Sequence, residues 1–195
     1  MTLRVLHLLR WLCLVIVMVG GAVPYAMASD AAVQRVEVIA EGDLLLLDAD
    51  IDISLPTQLE NAAARGVPLY FTADVEVIRP RWYWMDEELL ASRLTWRISQ
   101  NVLTRQWRVS TGSLGLPVDS LQDALAVVRH MRRWPFAQRE ELPVGLFKGR
   151  LRVRLDVSQL PKSFQANTFN SNDWAWSTRW YEFGISVPAE PGAKP

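Results

Sequence analysis

Val67-Pro68-Leu69-Tyr70-Phe71-Thr72-Ala73-Asp74-Val75-Glu76-Val77 decides the fold. Val67, Leu69, Phe71, Ala73, Val75 and Val77 take every second position, and Thr72, Asp74 and Glu76 lie between them. Successive side chains of an extended chain point to opposite faces. This spacing therefore predicts a strand with one face in a core and the other in water. The strand continues towards Trp84. A matching run, Leu94, Trp96 and Ile98 against Arg93, Thr95, Arg97 and Ser99, returns after Asp86-Glu87. The two runs predict a long antiparallel hairpin, with a helical turn over 86–91 as the alternative connection.

The same period extends outward in both directions. Strands are predicted over 33–40 and 44–53, joined at Glu41-Gly42-Asp43, and again over 105–110, 147–157 and 176–187. In 44–53, Leu45, Leu47, Ala49, Ile51 and Ile53 share one face, while Asp48, Asp50 and Asp52 share the other. Two segments change period. Residues 56–65 predict a short helix, with proline in its first turn and Gly66 suited to the left-handed residue after its end. Over 119–131, Leu121, Ala124, Leu125 and Val128 form a helical stripe that Asp119 or Ser120 can cap. Arg129, His130, Arg132, Arg133 and Trp134 then read as the helix end and a solvated loop. Long alternating strands with two short helices point to a mainly β fold, an antiparallel β-sandwich carrying two helical insertions. A two-layer α+β arrangement is the alternative.

Composition bounds the rest. The chain has 195 residues, 21 Lys+Arg, 21 Asp+Glu, and half its residues are hydrophobic. That is enough for one sizeable core and argues against intrinsic disorder. The balanced charge gives no footprint for nucleic acid. At the start, Arg4 and Arg10 precede an uncharged run from Trp11 to Val23, broken at Gly20, Gly21 and Pro24 and ending Ala26-Met27-Ala28. This reads as an export signal cleaved after Ala28, with location in the periplasm. An uncleaved anchor is the rival, since the run approaches the lower limit for a spanning helix. Membrane contact is expected only through this segment, before cleavage. Cys13 begins the apolar run instead of following a small residue at its end, which argues against lipidation. Removing 28 of 195 residues leaves 167, with no cysteine, and the loss of Arg4 and Arg10 turns a formal charge of zero into −2. The organisation is then signal peptide 1–28, one β-rich domain 29–187, and a disordered proline-rich tail 188–195.

Few groups suggest chemistry. His130, the one histidine after cleavage, stands among arginines, a poor setting for a general base. No nucleophile elbow, zinc-binding helix or phosphate-cradling loop occurs. Asp48-x-Asp50-x-Asp52 resembles the start of a calcium loop, but Ile53 and Leu59 stand where that loop needs Gly and Glu. No metal and no cofactor is called for. Glu87, Glu88, Glu140 and Glu141 leave a carboxylate pair for hydrolysis open, since the fold sets the separation of such pairs.

The candidate binding residues are Arg150, Arg152 and Arg154, with Trp82, Trp84, Trp174 and Trp176. The arginines form a cationic row by alternation, and Asp74 with Glu76 forms an anionic one. Cross-strand ladders are the first reading of these rows, and an arginine-lined groove for an anion is the second. The tryptophans, with Trp180, come in local groups. Buried, they fill a sandwich core, which is the favoured reading. Exposed, they stack on sugars or anchor a protein.

Asn101-Val102-Leu103-Thr104-Arg105-Gln106-Trp107-Arg108-Val109 carries a resemblance. So does Leu155-Asp156-Val157-Ser158-Gln159-Leu160-Pro161-Lys162-Ser163-Phe164-Gln165, together with the leader and Trp82-Tyr83-Trp84. The chain resembles, from residue 33 to about 185, a family of uncharacterised exported bacterial proteins known as domain of unknown function 4390. The resemblance transfers no catalytic residue. It implies a periplasmic accessory role beside a membrane sensor kinase. The expectation is therefore a non-enzymatic binding protein of the periplasm, whose partner is a sensor kinase's outer domain or another envelope protein. A carrier or carbohydrate- or lipid-binding module using grouped tryptophans is the second reading, and a carboxylate-dependent hydrolase the third.

Overall fold

Gly42, with φ +56°, turns the chain between β1 (Ala32–Glu41) and β2 (Leu44–Asp52). That left-handed conformation is open to glycine at no steric cost. A computed structural model of the chain describes residues 31–188 except 82, 84, 85, 161 and 163–173. The expected signal at 1–28 and the tail beyond 188 lie outside the described residues, as do Trp82 and Trp84.

After β2 come α1 (Thr57–Ala64), β3 (Leu69–Arg79), β4 (Glu87–Asn101), β5 (Gln106–Thr111), β6 (Leu114–Val118) and α2 (Leu121–Arg129). β7 (His130–Gln138), β8 (Gly145–Leu155) and β9 (Tyr181–Val187) complete the order. The strands form two antiparallel sheets, one ordered β1-β2-β7 and the other β6-β5-β4-β3-β8-β9. The fold is mainly β, as expected, with two helices among the described residues.

Both sheets turn an apolar face to one shared cluster. Leu45, Leu47, Ala49 and Ile51 of β2 meet Phe71, Val75 and Val77 of β3, Trp96 and Ile98 of β4, and Leu151 and Val153 of β8 there. Leu59 and Ala63 of α1 and Ala124, Leu125 and Val128 of α2 close it. α2 packs against β2 and β7 on one side and β4 and β5 on the other. The Ser120 hydroxyl accepts from the Asp123 amide at 3.0 Å, so the predicted cap is formed. Each fully buried aliphatic or phenyl side chain contributes about 1.5–3 kcal/mol by leaving water, which is how a core without a disulfide holds.

Several boundaries move. The segment read as a helix end and solvated loop is β7, the third strand of the smaller sheet. The helix stops at Arg129 because Met131, Trp134 and Phe136 are all buried against that sheet's core face. Helical spacing could not bring this set to one side together with Leu125 and Val128. Residues 86–91 extend β4 and form no helical turn. The last strand begins at Tyr181; the preceding segment runs beside β8 through one bridge, Ser177 to Arg154. β6 escaped notice because Leu114-Gly-Leu-Pro-Val lacks a polar alternate, and as an edge strand it is mostly exposed. Pro117, opposite Arg108, removes a donor that an incoming strand would otherwise find there.

Candidate functional site

β3 is the central strand whose wet face is not wet. Register places Thr72, Asp74 and Glu76 opposite Arg154, Arg152 and Arg150 of β8, and Asp74 opposite Arg93 of β4. The two predicted charge rows are thus one ladder across the outer face of the larger sheet. Arg154 Nε donates to Asp74 Oδ2 at 2.8 Å and Arg152 Nη2 donates to the same oxygen at 3.0 Å. Arg93 Nε lies 3.1 Å from Oδ1, yet that oxygen has no hydrogen bond, so Arg93 acts through charge alone. The Asp74 side chain is only 7% exposed. Arg150 Nε donates to Glu76 at 2.5 Å, and the Thr72 and Thr95 hydroxyls pair at 2.9 Å.

Trp180 covers this ladder. Its ring centre lies 4.4 Å from the Arg152 guanidinium carbon and 5.0 Å from that of Arg150, within cation–π range. Burial alone would lower the basicity of Arg154, but its bond to Asp74 and the Asp74 and Asp156 charges hold it above its ordinary value. Asp156 is likewise pushed up by burial. Bonds from Gln159 and Ser158 and the Arg154 charge outweigh that and bring it below the usual carboxylate range.

The candidate arginines are therefore brought together on the outer face, and of the candidate tryptophans the two described, Trp174 and Trp176, pack on the core instead. Trp176 is buried on the opposite, inner face. It packs edge-on against Phe71 at 5.3 Å and donates its Nε1 to the Ser54 carbonyl at 2.9 Å. Trp174 packs half-buried against the core, and Trp96, Trp107 and Trp134 are buried.

A cleft of about 300 Å³ opens further along the outer face, at the turn between β4 and β5. Arg97, Ser99, Asn101, Gln106 and Arg108 line it, with Gly66 at its end. Register puts Arg97 opposite Ser110 and Arg108 opposite Ser99, so the two arginines sit diagonally on one face. No carboxylate lines this cleft. Alternation in the sequence puts Arg97 on one face with Arg93 but does not point to Arg108 beside it. Pairing β5 with β4 in register would have placed the two together.

The smaller sheet has its own charged outer face. Leu47 pairs with Trp134 and Ala49 with Met131, so two residues of β7 stand against Asp48 alone. This bulge gives Arg133 a φ of +50°, and its amide donates to Asp48 Oδ1 at 2.6 Å. Asp50 accepts from Arg132 and from His130 Nδ1 at 3.0 Å. The Arg132 bond first, and the His130 bond second, hold the Asp50 carboxyl below its ordinary range. A pocket of about 80 Å³ lies between Arg35, Glu37, Asp48, Asp50 and Arg132. Its carboxylates are each engaged: Glu37 by Arg35, Asp48 by the Arg133 amide, Asp50 by Arg132. No group of three or more metal-ligating side chains occurs among the described residues.

The chain belongs to the family described as Domain of unknown function (DUF4390), whose profile matches residues 28–184. That description assigns no activity. None of the curated proteins and none of the solved structures compared matches the chain.

Proposed function

We propose that this is an exported, non-enzymatic accessory protein of the periplasm that binds a membrane protein of the envelope through the Arg97–Arg108 cleft. A sensor kinase's outer domain is the partner class the family resemblance names. One observation carries the reading. Arg93, Arg150, Arg152 and Arg154 are all paired with Asp74 or Glu76, whereas Arg97 and Arg108 share a cleft with no carboxylate.

Two like charges held near each other cost energy, and a carboxylate from outside removes that cost. Guanidinium groups bind carboxylates through paired, charge-assisted hydrogen bonds, and Ser99, Asn101 and Gln106 supply neutral partners around them. Two of the four glutamates that the hydrolase reading draws on are engaged elsewhere. Glu87 is held by Arg81 at 2.5 Å, Glu141 caps the Gln138 amide at 2.6 Å, and His130 is bonded to Asp50.

The test is crosslinking in cells that express the tagged full chain, followed by purification from the envelope. The wild type should retain a defined membrane protein. The double variant Arg97→Glu, Arg108→Glu should retain about tenfold less or lower still, because repulsion replaces attraction on both groups. Equal retention by both chains would remove the cleft from the interface. Recovery of no membrane protein would overturn the reading.

A further inference from the structure

The β4–β5 turn exposes what a folded domain ordinarily covers. Leu103 is 91% exposed and Val102 57%, at the apex of the longest hairpin strand among the described residues. The tip is held by its own polar groups. Asn101 Oδ1 accepts from the Leu103 amide at 3.0 Å and the Thr104 amide at 3.3 Å, and Arg105 takes the left-handed φ of +58°. Val102 leans on the end of α1, where a Cβ added to Gly66 would lie 2.8 Å from Val102 Cγ1. The leucine is thus presented on a fixed turn.

Arginines surround it. Arg105 lies on the turn, Arg65 precedes the glycine that Val102 touches, and Arg97 and Arg108 line the cleft below. None of the four has a carboxylate partner among the described residues, whereas nine other arginines there do. The nearest acid by register, Asp119, follows Val118 at the far side of Trp107 and does not line the cleft.

We propose that this tip docks on an anionic phospholipid bilayer. Leu103 and Val102 enter the boundary between headgroups and acyl chains, and Arg65 and Arg105 bind headgroup phosphates. A convex tip fits a bilayer better than a peptide, which needs a groove to lie in. Buried apolar surface and attraction to anionic lipid act together at such contacts. The inference deepens the reading above and rests on its envelope location. It brings the Arg97–Arg108 cleft to the membrane surface, where a membrane protein's juxtamembrane acids stand.

The test attaches an environment-sensitive dye at Leu103→Cys in the full chain, with Cys13→Ser so that a single thiol remains. The dye reports the tip itself, whatever the leader does. Vesicles of phosphatidylglycerol in phosphatidylethanolamine should shift its emission to the blue, and vesicles of phosphatidylcholine should leave it unchanged. Arg65→Glu and Arg105→Glu should each weaken the response to the anionic vesicles by about fivefold or more. In the undyed chain, Leu103→Ser should weaken vesicle cosedimentation by about tenfold. No shift on anionic vesicles, or an equal shift on phosphatidylcholine, would overturn the proposal. A response to inorganic phosphate or polyglutamate without vesicles would assign the arginines to a soluble anion or an acidic protein, and would overturn it too. Because the vesicles hold no protein, their failure leaves the crosslinking result standing on its own.

Discussion

The two sheets carry the same chemistry on their outer faces and put it to different uses. In the larger sheet Asp74 lies on a central strand, flanked by β4 and β8, with three arginines around it and Trp180 covering two of their row. In the smaller sheet Asp50 also lies on the middle strand and also meets an arginine, but its side chain is 32% exposed against 7% for Asp74. Among the described residues no aromatic ring stacks on an arginine of that face. A charge taken out of water must be neutralised by its neighbours. A charge left in water is already solvated and gains little from a partner. Sheet width and an aromatic cover thus turn one ion pair into a structural requirement and leave the other optional.

The sharpest way to break this contrast is Asp74→Ala. Arg152 and Arg154 would keep their desolvated positions without an anion, so the loss should be about 3–5 kcal/mol, read from the urea midpoint. A loss below about 1 kcal/mol would place Asp74 in the same class as Asp50. Trp180→Ala removes the cover and both cation–π contacts while leaving the carboxylate in place. It should cost about 1–2 kcal/mol and make the Asp74 contribution salt-sensitive, because water then reaches the ladder. No change in salt response would show that the strands, and not the ring, exclude water there.

The ladder was legible in the sequence because it depends only on period two: Arg150, Arg152 and Arg154 must share a face, as must Asp74 and Glu76. That β8 pairs with β3 across about 70 intervening residues is a matter of global topology, and no local pattern encodes it. β7 was misread for a physical reason. A bulge inserts one residue between Met131 and Trp134, so its buried positions lose alternation, while Arg129 to Arg133 mimic the cationic end of a helix. The cleft was missed because it forms only when Arg97 and Arg108, on successive strands, are brought into register by the Asn101 turn. Leu103 gave no signal at all, since a lone leucine in a turn reads the same whether covered or bare.

Asp50→Asn carries the smallest effect and the most specific one. The Arg132 bond, and then that of His130, lower the folded-state carboxyl below its ordinary value of 3.8. A carboxylate lowered on folding adds stability that is fully present above its unfolded value and is lost as pH falls through the folded one. The gap between wild type and Asp50→Asn should therefore be constant at neutral pH and begin to narrow near pH 4. It should close as Asp50 takes up its proton in the folded state. Its size should stay under about 1 kcal/mol, because the pair is exposed, and should shrink in molar salt. Paired urea titrations from neutral to acid pH, at low and high salt, measure it. A gap that widened on acidification would mean that Asp50 destabilises the sheet as an anion, reversing the role its two partners give it. A gap indifferent to salt would mean that the small sheet's outer face excludes water after all, and the distinction between the two faces would then rest on strand number alone.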